Sequence, residues 1–243
     1  MNDITKTVTN QPKERSFWID VFFQLRKNKL AMISLFVLIF VVLASIFVPI
    51  LSSHDIATTN TALARQAPCS VHWLGTDDLG RDMFVRFFYA GRISLSIALI
   101  STVLLCIVGV ILGGIAGYYG GVWDAIIMRL TETFLCIPFI LACIAAAAFL
   151  GSSIPVLIII FTVLSWPVIA RIVRGQILAL RDLEYMQACE ALGISDFRRI
   201  FKHLLPNVMA YIIVYATLSM ASIILVEAAL SFLGLGVSPP TPT

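Results

Sequence analysis

Three acids stand close together in "GTDDLGRDMF", residues 75–84: Asp77, Asp78 and Asp82. Such a cluster could hold a divalent cation, but it lacks the alternating oxygen ligands of a calcium loop, so no metal is expected there. Helix-start chemistry fits better. Thr76 or Asp77 can cap a helix, and Asp77–Arg81 and Asp82–Arg86 are i, i+4 pairs with the acid first. With Leu79, Met83, Phe84, Phe87 and Phe88 on one side, an amphipathic helix on a membrane surface is expected. Two other acids, Glu132 and Glu227, end apolar runs. An acid inside a membrane is a functional candidate by default. Arg129 offers Glu132 a partner at i, i+3, whereas Glu227 has no cation near it in sequence. A cation on another chain or a polar cavity would serve Glu227. The five cysteines, Cys69, Cys106, Cys136, Cys143 and Cys189, show neither CxxC spacing nor a His-rich partner, so no zinc site and no disulfide frame is suggested. GxxxxGK[ST], HExxH and GxSxG are missing from the sequence. The chain therefore cradles no ATP phosphates itself, and no catalytic residue is assigned.

The elements around these residues are membrane helices. Of 243 residues, 59% are hydrophobic and 13% charged, and the mean hydropathy is +0.95. A soluble domain carries about twice that share of charge. An all-α, polytopic membrane bundle is expected. Residues 1–29 form a polar head with six Lys and Arg. In it Phe17, Trp18, Val21, Phe22 and Leu25 fit an interfacial helix, or else a partly ordered tail. The first span is 30–51, followed by a loop over 52–92 that holds the amphipathic helix. The core, 93–243, gives spans from 93 to about 118, 133–150, 154 to about 170 and 208 to about 233, with "GSSIP" at 151–155 as a hairpin turn. With the N-terminus inside, inner segments hold thirteen Lys and Arg and outer ones four, which favours that orientation. The fifth span then leaves "GVSPPTPT" outside, and a sixth helix is expected beyond it.

A polar, basic stretch at 181–207 interrupts the apolar runs on the inner side. Asp182 can cap a helix over 183–192, and Gly193 can stop it in the left-handed conformation. Ser195 can cap a second helix, in which Phe197, Ile200, Phe201, Leu204 and Leu205 make an apolar stripe. Arg198, Arg199, Lys202 and His203 lie off that stripe, and Pro206 is expected to end the helix. Such a segment offers one face to a cytosolic partner, or merely rests its basic face on anionic lipid. Gly109, Gly113 and Gly117 share a stripe that lets helix backbones approach, either for packing alone or beside a moving helix. The small residues of "ACIAAAAF", 142–149, could border a translocation path.

Here the sequence resembles a known family. The 184–207 stretch looks like the EAA loop of ABC-importer permeases: Gly193, Leu205 and Pro206 match, while Gln187-Ala188-Cys189 stands where Glu-Ala-Ala is usual and His203 where Ile is usual. "HWLGTDDLGRDMF" (72–84), "WPVIARIVRGQ" (166–176) and "SFLGLGVSPPTPT" (231–243) are similar to stretches of the C-type permease of dipeptide, oligopeptide and nickel importers. The likeness runs from residue 30 onward. It implies one of two permease subunits in a bacterial cytoplasmic membrane, paired with a homologous permease. Two ATPase subunits, which carry ATP and Mg, and an extracytoplasmic substrate-binding protein complete the system. Membrane lipid is the surrounding partner; neither nucleic acid nor a cofactor bound by this chain is implied. The coupling residues would be Gln187, Ala188, Cys189, Glu190, Gly193, Phe197, Leu205 and Pro206. No His or Cys cluster in the spans suggests a bare metal cargo, so peptide is favoured over nickel or a metal chelate. A self-contained secondary transporter or channel is a further alternative. It would need inverted repeats and a midplane ion site, and only Pro138, Pro155 and Pro167 interrupt the helices.

Overall fold

The computed structural model describes residues 25–52, 56, 58–238 and 241–242. The helix expected around 17–25 lies outside them, apart from Leu25. The described residues are almost wholly helical: α1 (Lys29–Leu51), α2 (Met83–Tyr119), α3 (Gly121–Leu135), α4 (Phe139–Leu150), α5 (Ile154–Arg181), α6 (Glu184–Ala191) and α7 (Leu205–Phe232). One α turn, Asp196–Arg198, and a π-helical turn, Arg199–Leu204, lead directly into α7. Asp196–Phe232 is therefore a single rod of 37 residues. The chain forms two compact units, Met1–Ala44 and Ser45–Thr243.

Among the described residues four helices are long and apolar enough to cross a membrane: α1, α2, α5 and the rod. In α1 the side chains of Phe36, Phe40 and Phe47 are all exposed, and the helix is apolar all round, as a lipid-facing helix is. The expected span over 133–150 is corrected by the structure. Pro138 has no N–H to donate and its ring excludes a continuing helix, so the chain breaks at 136–138. α3 and α4 meet at 84°. The 12 residues of α4 rise only about 18 Å, short of a core of about 30 Å. A fifth crossing exists only if this bent pair makes it.

The loop before α2 is also corrected. No helix begins at Thr76 or Asp77, because Gly80 at φ +74° turns the chain and its Cα lies against Asn60. Asp77 instead accepts from the backbone N–H of Leu79 and Arg81, both at 2.9 Å, and from Arg81 Nε at 2.7 Å. Asp82 is the cap of α2, accepting from Val85 N at 2.9 Å, and it pairs with buried His72 at 2.8 Å. Arg86 turns to Asp77 at 3.6 Å rather than to Asp82. The helix expected on the membrane surface is the first stretch of α2 itself.

The bundle is organised around α2 and α5, which run parallel. Ile97 and Leu105 of α2 meet Leu157, Phe161, Ile169 and Val173 of α5 in the buried core, which Cys143 and Ala147 of α4 and Val208 and Ile223 of the rod complete. The seam is made by glycine. A Cβ at Gly109 would lie 1.6 Å from Ile169 Cγ2, one at Gly113 2.3 Å from Ala170 O, and one at Gly117 3.0 Å from Arg174 O. Lipid tails are as apolar as Leu, so helices in a bilayer associate through such close backbone packing rather than by a hydrophobic drive.

Gly113→Ala must push backbone against backbone, and a cost of about 1–3 kcal/mol is expected, seen as a lower melting temperature in detergent. Gly114→Ala is the control. Its nearest atom would be Ile177 Cδ1 at 4.0 Å, so the substitution should be neutral or stabilising by up to about 1 kcal/mol. A second prediction concerns Asp77. Burial pushes its carboxyl up, but the backbone N–H of Arg81, the Arg81 guanidinium and the N–H of Leu79 outweigh this and hold it below the usual carboxylate range. A depressed folded value means its stabilisation is complete above the unfolded pKa of about 3.9 and is lost as pH falls through the folded value. Melting temperature measured against pH should fall in the acid range, and Asp77→Asn should flatten part of that fall.

Candidate functional site

The 184–206 segment is a true elbow. Leu183 holds the cap position of α6 in extended conformation and makes no side-chain cap bond. The expected cap, Asp182, is instead an acceptor through its carbonyl for Gln187 Nε2 at 3.1 Å. At the other end Gly193 adopts φ +68°. Its N–H donates to Glu190 O at 2.9 Å, and the N–H of Ile194 donates to Cys189 O at 3.0 Å. These two bonds are a complete Schellman motif, and only glycine takes that φ without strain. Ser195 occupies the next cap position without a side-chain bond.

α6 turns Met186 and Cys189 inward, while Gln187, Ala188 and Glu190 face out. The apolar stripe after the elbow is divided. Leu204 is fully buried, Ile200 and Leu205 are half-buried, and Phe197 and Phe201 stack with centroids 4.5 Å apart yet remain exposed. They border a cleft of about 280 Å³ against Val110, Ile111 and Tyr119 of α2. Pro206 does not end the helix, contrary to expectation. It sits in the first turn of α7, and the π turn just before it widens the backbone where a proline ring would meet the carbonyl four residues back. The second elbow helix and the last membrane span are consequently one body.

A polar network clamps the elbow end of the bundle. The Tyr118 hydroxyl donates to Asp196 Oδ1 at 2.9 Å. Arg199 Nη2 bonds the same oxygen, Nη1 lies 3.2 Å from Glu190 Oε2, and the guanidinium sits 5.7 Å from the centre of the Tyr118 ring. Arg181 Nη1 donates to the carbonyl of Gly117 at 3.0 Å, satisfying the last turn of α2. Arg174 grips Asp124 of α3 with two donors, Nη2 at 2.6 Å. Tyr118, Arg199 and the Asp124–Arg174 pair were not singled out from sequence. Asp124 and Arg174 are 50 residues apart and Tyr118 and Asp196 78, so no local spacing could reveal them.

At the opposite end, Glu227 is buried and accepts from Ser94 Oγ of α2 at 2.8 Å and from Ser231 Oγ at 3.0 Å. Within this chain its partners are these two hydroxyls. Glu132 lies 3.6 Å from Arg129 on an exposed face. Gly109, Gly113 and Gly117 are in the α2–α5 seam, away from the elbow's outer face. Among the described residues no three His, Cys, Asp or Glu side chains gather in a way that could hold a metal ion.

What this arrangement offers is a surface helix joined by a short turn to a rod long enough to cross the membrane. Comparison with known proteins gives the family. Residues 109–243 match the family described as binding-protein-dependent transport system inner membrane component, and residues 16–68 match the N-terminal TM domain of oligopeptide transport permease C. The chain is 42% identical over 228 residues to the oligopeptide transport system permease protein OppC of Bacillus subtilis (strain 168), covering 94% of this chain and 75% of that protein. It is 40% identical over 243 residues to the dipeptide transport system permease protein DppC of the same organism, covering 96% and 76%. It is also 40% identical over 177 residues to the glutathione transport system permease protein GsiD of Pectobacterium atrosepticum, covering 73% and 59%. A basic elbow between apolar helices, matched along most of its length by such permeases, places this chain in the family of inner membrane components of binding-protein-dependent transport systems, as a multi-pass permease subunit of an ABC importer.

Proposed function

We propose that this subunit imports peptides, and that the 184–206 elbow is where ATP-driven motion enters it. A second, homologous permease lines the other side of the path. Two ATPase subunits, which hold ATP and Mg, dock on the elbow, and an extracytoplasmic binding protein delivers the cargo. The observation that carries the reading is the joint itself. α6 presents Gln187, Ala188 and Glu190 outward, and two backbone bonds close its end at Gly193, just before a 37-residue rod begins. Only the short turn 192–195 lies between α6 and a membrane-spanning helix, so a push on α6 has a short path to it. Peptide cargo is supported by the names of the similar permeases, which cite oligopeptide, dipeptide and glutathione transport. Alternating access requires that nucleotide and cargo favour different states of this rod and its neighbours.

The test is reconstitution of the complete importer in liposomes. Labelled dipeptide should accumulate only with ATPase subunits and ATP present, and unlabelled peptide rather than nickel should compete. Gly193→Pro should abolish both ATPase association and uptake, because proline is held near φ −65° and lacks the N–H given to Glu190, a local cost of about 3 kcal/mol or more. Uptake by the permease chains alone would overturn the ABC reading. Intact association and uptake in Gly193→Pro would overturn the role of the elbow.

A further inference from the structure

Arg199 stands outside the docking face, yet it touches each body that must move together. Its side chain is only 15% exposed. It bonds Asp196 on its own rod, reaches Glu190 of α6 at 3.2 Å, and lies over the Tyr118 ring of α2. It is also the first residue of the π turn, Arg199–Leu204. A π turn is a widened, poorly packed piece of helix, commonly found at functional positions. Arg199 thus holds the rod where its helical winding changes.

The contacts of Arg199 differ in strength. Those to Asp196 and Tyr118 bind the π turn to the end of α2 near the elbow and are partly shielded. Among the described residues the contact to Glu190 is the one by which Arg199 reaches the docking helix, and the Glu190 side chain is 73% exposed. An ion pair so open to water contributes little, since solvent screens it and both side chains give up freedom to form it. Covering it changes the balance, because the same charges attract several times more strongly once the effective dielectric falls.

We infer that Arg199 is a positioning residue of the coupling step, engaged by docking: when a partner covers α6, the Glu190–Arg199 pair tightens and locks the docking helix to the π turn. In the uncovered permease the pair is slack and α6 moves without carrying the rod. This rests on the proposed docking of ATPase subunits at α6. It adds a clutch to that reading, with Glu190 and Arg199 as its two faces and Tyr118 and Asp196 as the seat of Arg199.

The experiment uses the complete importer in liposomes with Arg199→Gln, Glu190→Gln and the double variant. The readout is stimulation of ATP hydrolysis by the cargo-loaded binding protein, expressed per bound ATPase. Each single variant should lower stimulation by about tenfold, the size expected for losing a charge-assisted bond once it is shielded. The double variant should be no worse than either single one, since both remove the same contact. In the permease without ATPase, Glu190→Gln should leave the melting temperature unchanged, because the uncovered pair is slack. Additive losses, or wild-type stimulation in Glu190→Gln, would overturn the inference. So would loss of ATPase binding in Glu190→Gln alone, which would make Glu190 a direct contact of the partner. If Arg199→Gln fails to assemble, Glu190→Gln carries the test by itself, because its exposed side chain supports no core. Failure of the wild-type chain to bind ATPase at all would instead sink the docking reading on which the inference stands.

Discussion

The α2–α5 seam is the contact on which the rest of this membrane domain hangs. Gly113 and Gly117 bring the backbone of α2 against the carbonyls of Ala170 and Arg174, closer than any side chain would allow. In lipid this closeness is itself the adhesive, since there is little water to expel between helices and dispersion falls off steeply with distance. The seam also fixes register. Once α5 lies in it, Arg174 stands opposite Asp124 of α3, and Arg181 reaches the final carbonyls of α2. The elbow starts from that anchored end.

The rod from Asp196 to Phe232 gives the elbow its reach. A chain that stopped at Pro206 would leave a joint between the elbow and the last span, and a push would be dissipated there. The π turn removes that joint by accommodating the proline within a continuous helix. The rod touches α2 through polar contacts at both ends: Asp196 with Tyr118 near the elbow, and Glu227 with Ser94 at the opposite end. Between them Val208, Ile212, Ser219 and Ile223 of the rod are buried. The polar contacts near the two ends help define where the rod sits against α2.

Prolines show why some of the fold was legible from sequence and some was not. Pro138 breaks a helix, whereas Pro167 lies inside α5 and Pro206 inside the rod. Locally all three lack the same N–H. Their outcomes differ because neighbouring helices and a widened turn compensate at two of them, and that compensation is not written beside the proline. The acids near residue 80 make the same point. Asp77–Arg81 has helix spacing and does form a pair, but Gly80 between them takes a left-handed turn, so the pair closes a loop.

By itself the sequence determined what depends on short range. Long apolar runs demanded a membrane, and Gly193 followed by an apolar stripe made an elbow, because hydropathy and backbone φ are properties of a few adjacent residues. Tertiary structure alone decided which distant groups meet: Ser94 with Glu227 across 133 residues, Tyr118 with Asp196 across 78, and Asp124 with Arg174 across 50. It also decided that the elbow and the last span are one rod. These are matters of packing, where the cost of a buried charge, a missing N–H or a bare glycine is set by whatever the fold brings alongside.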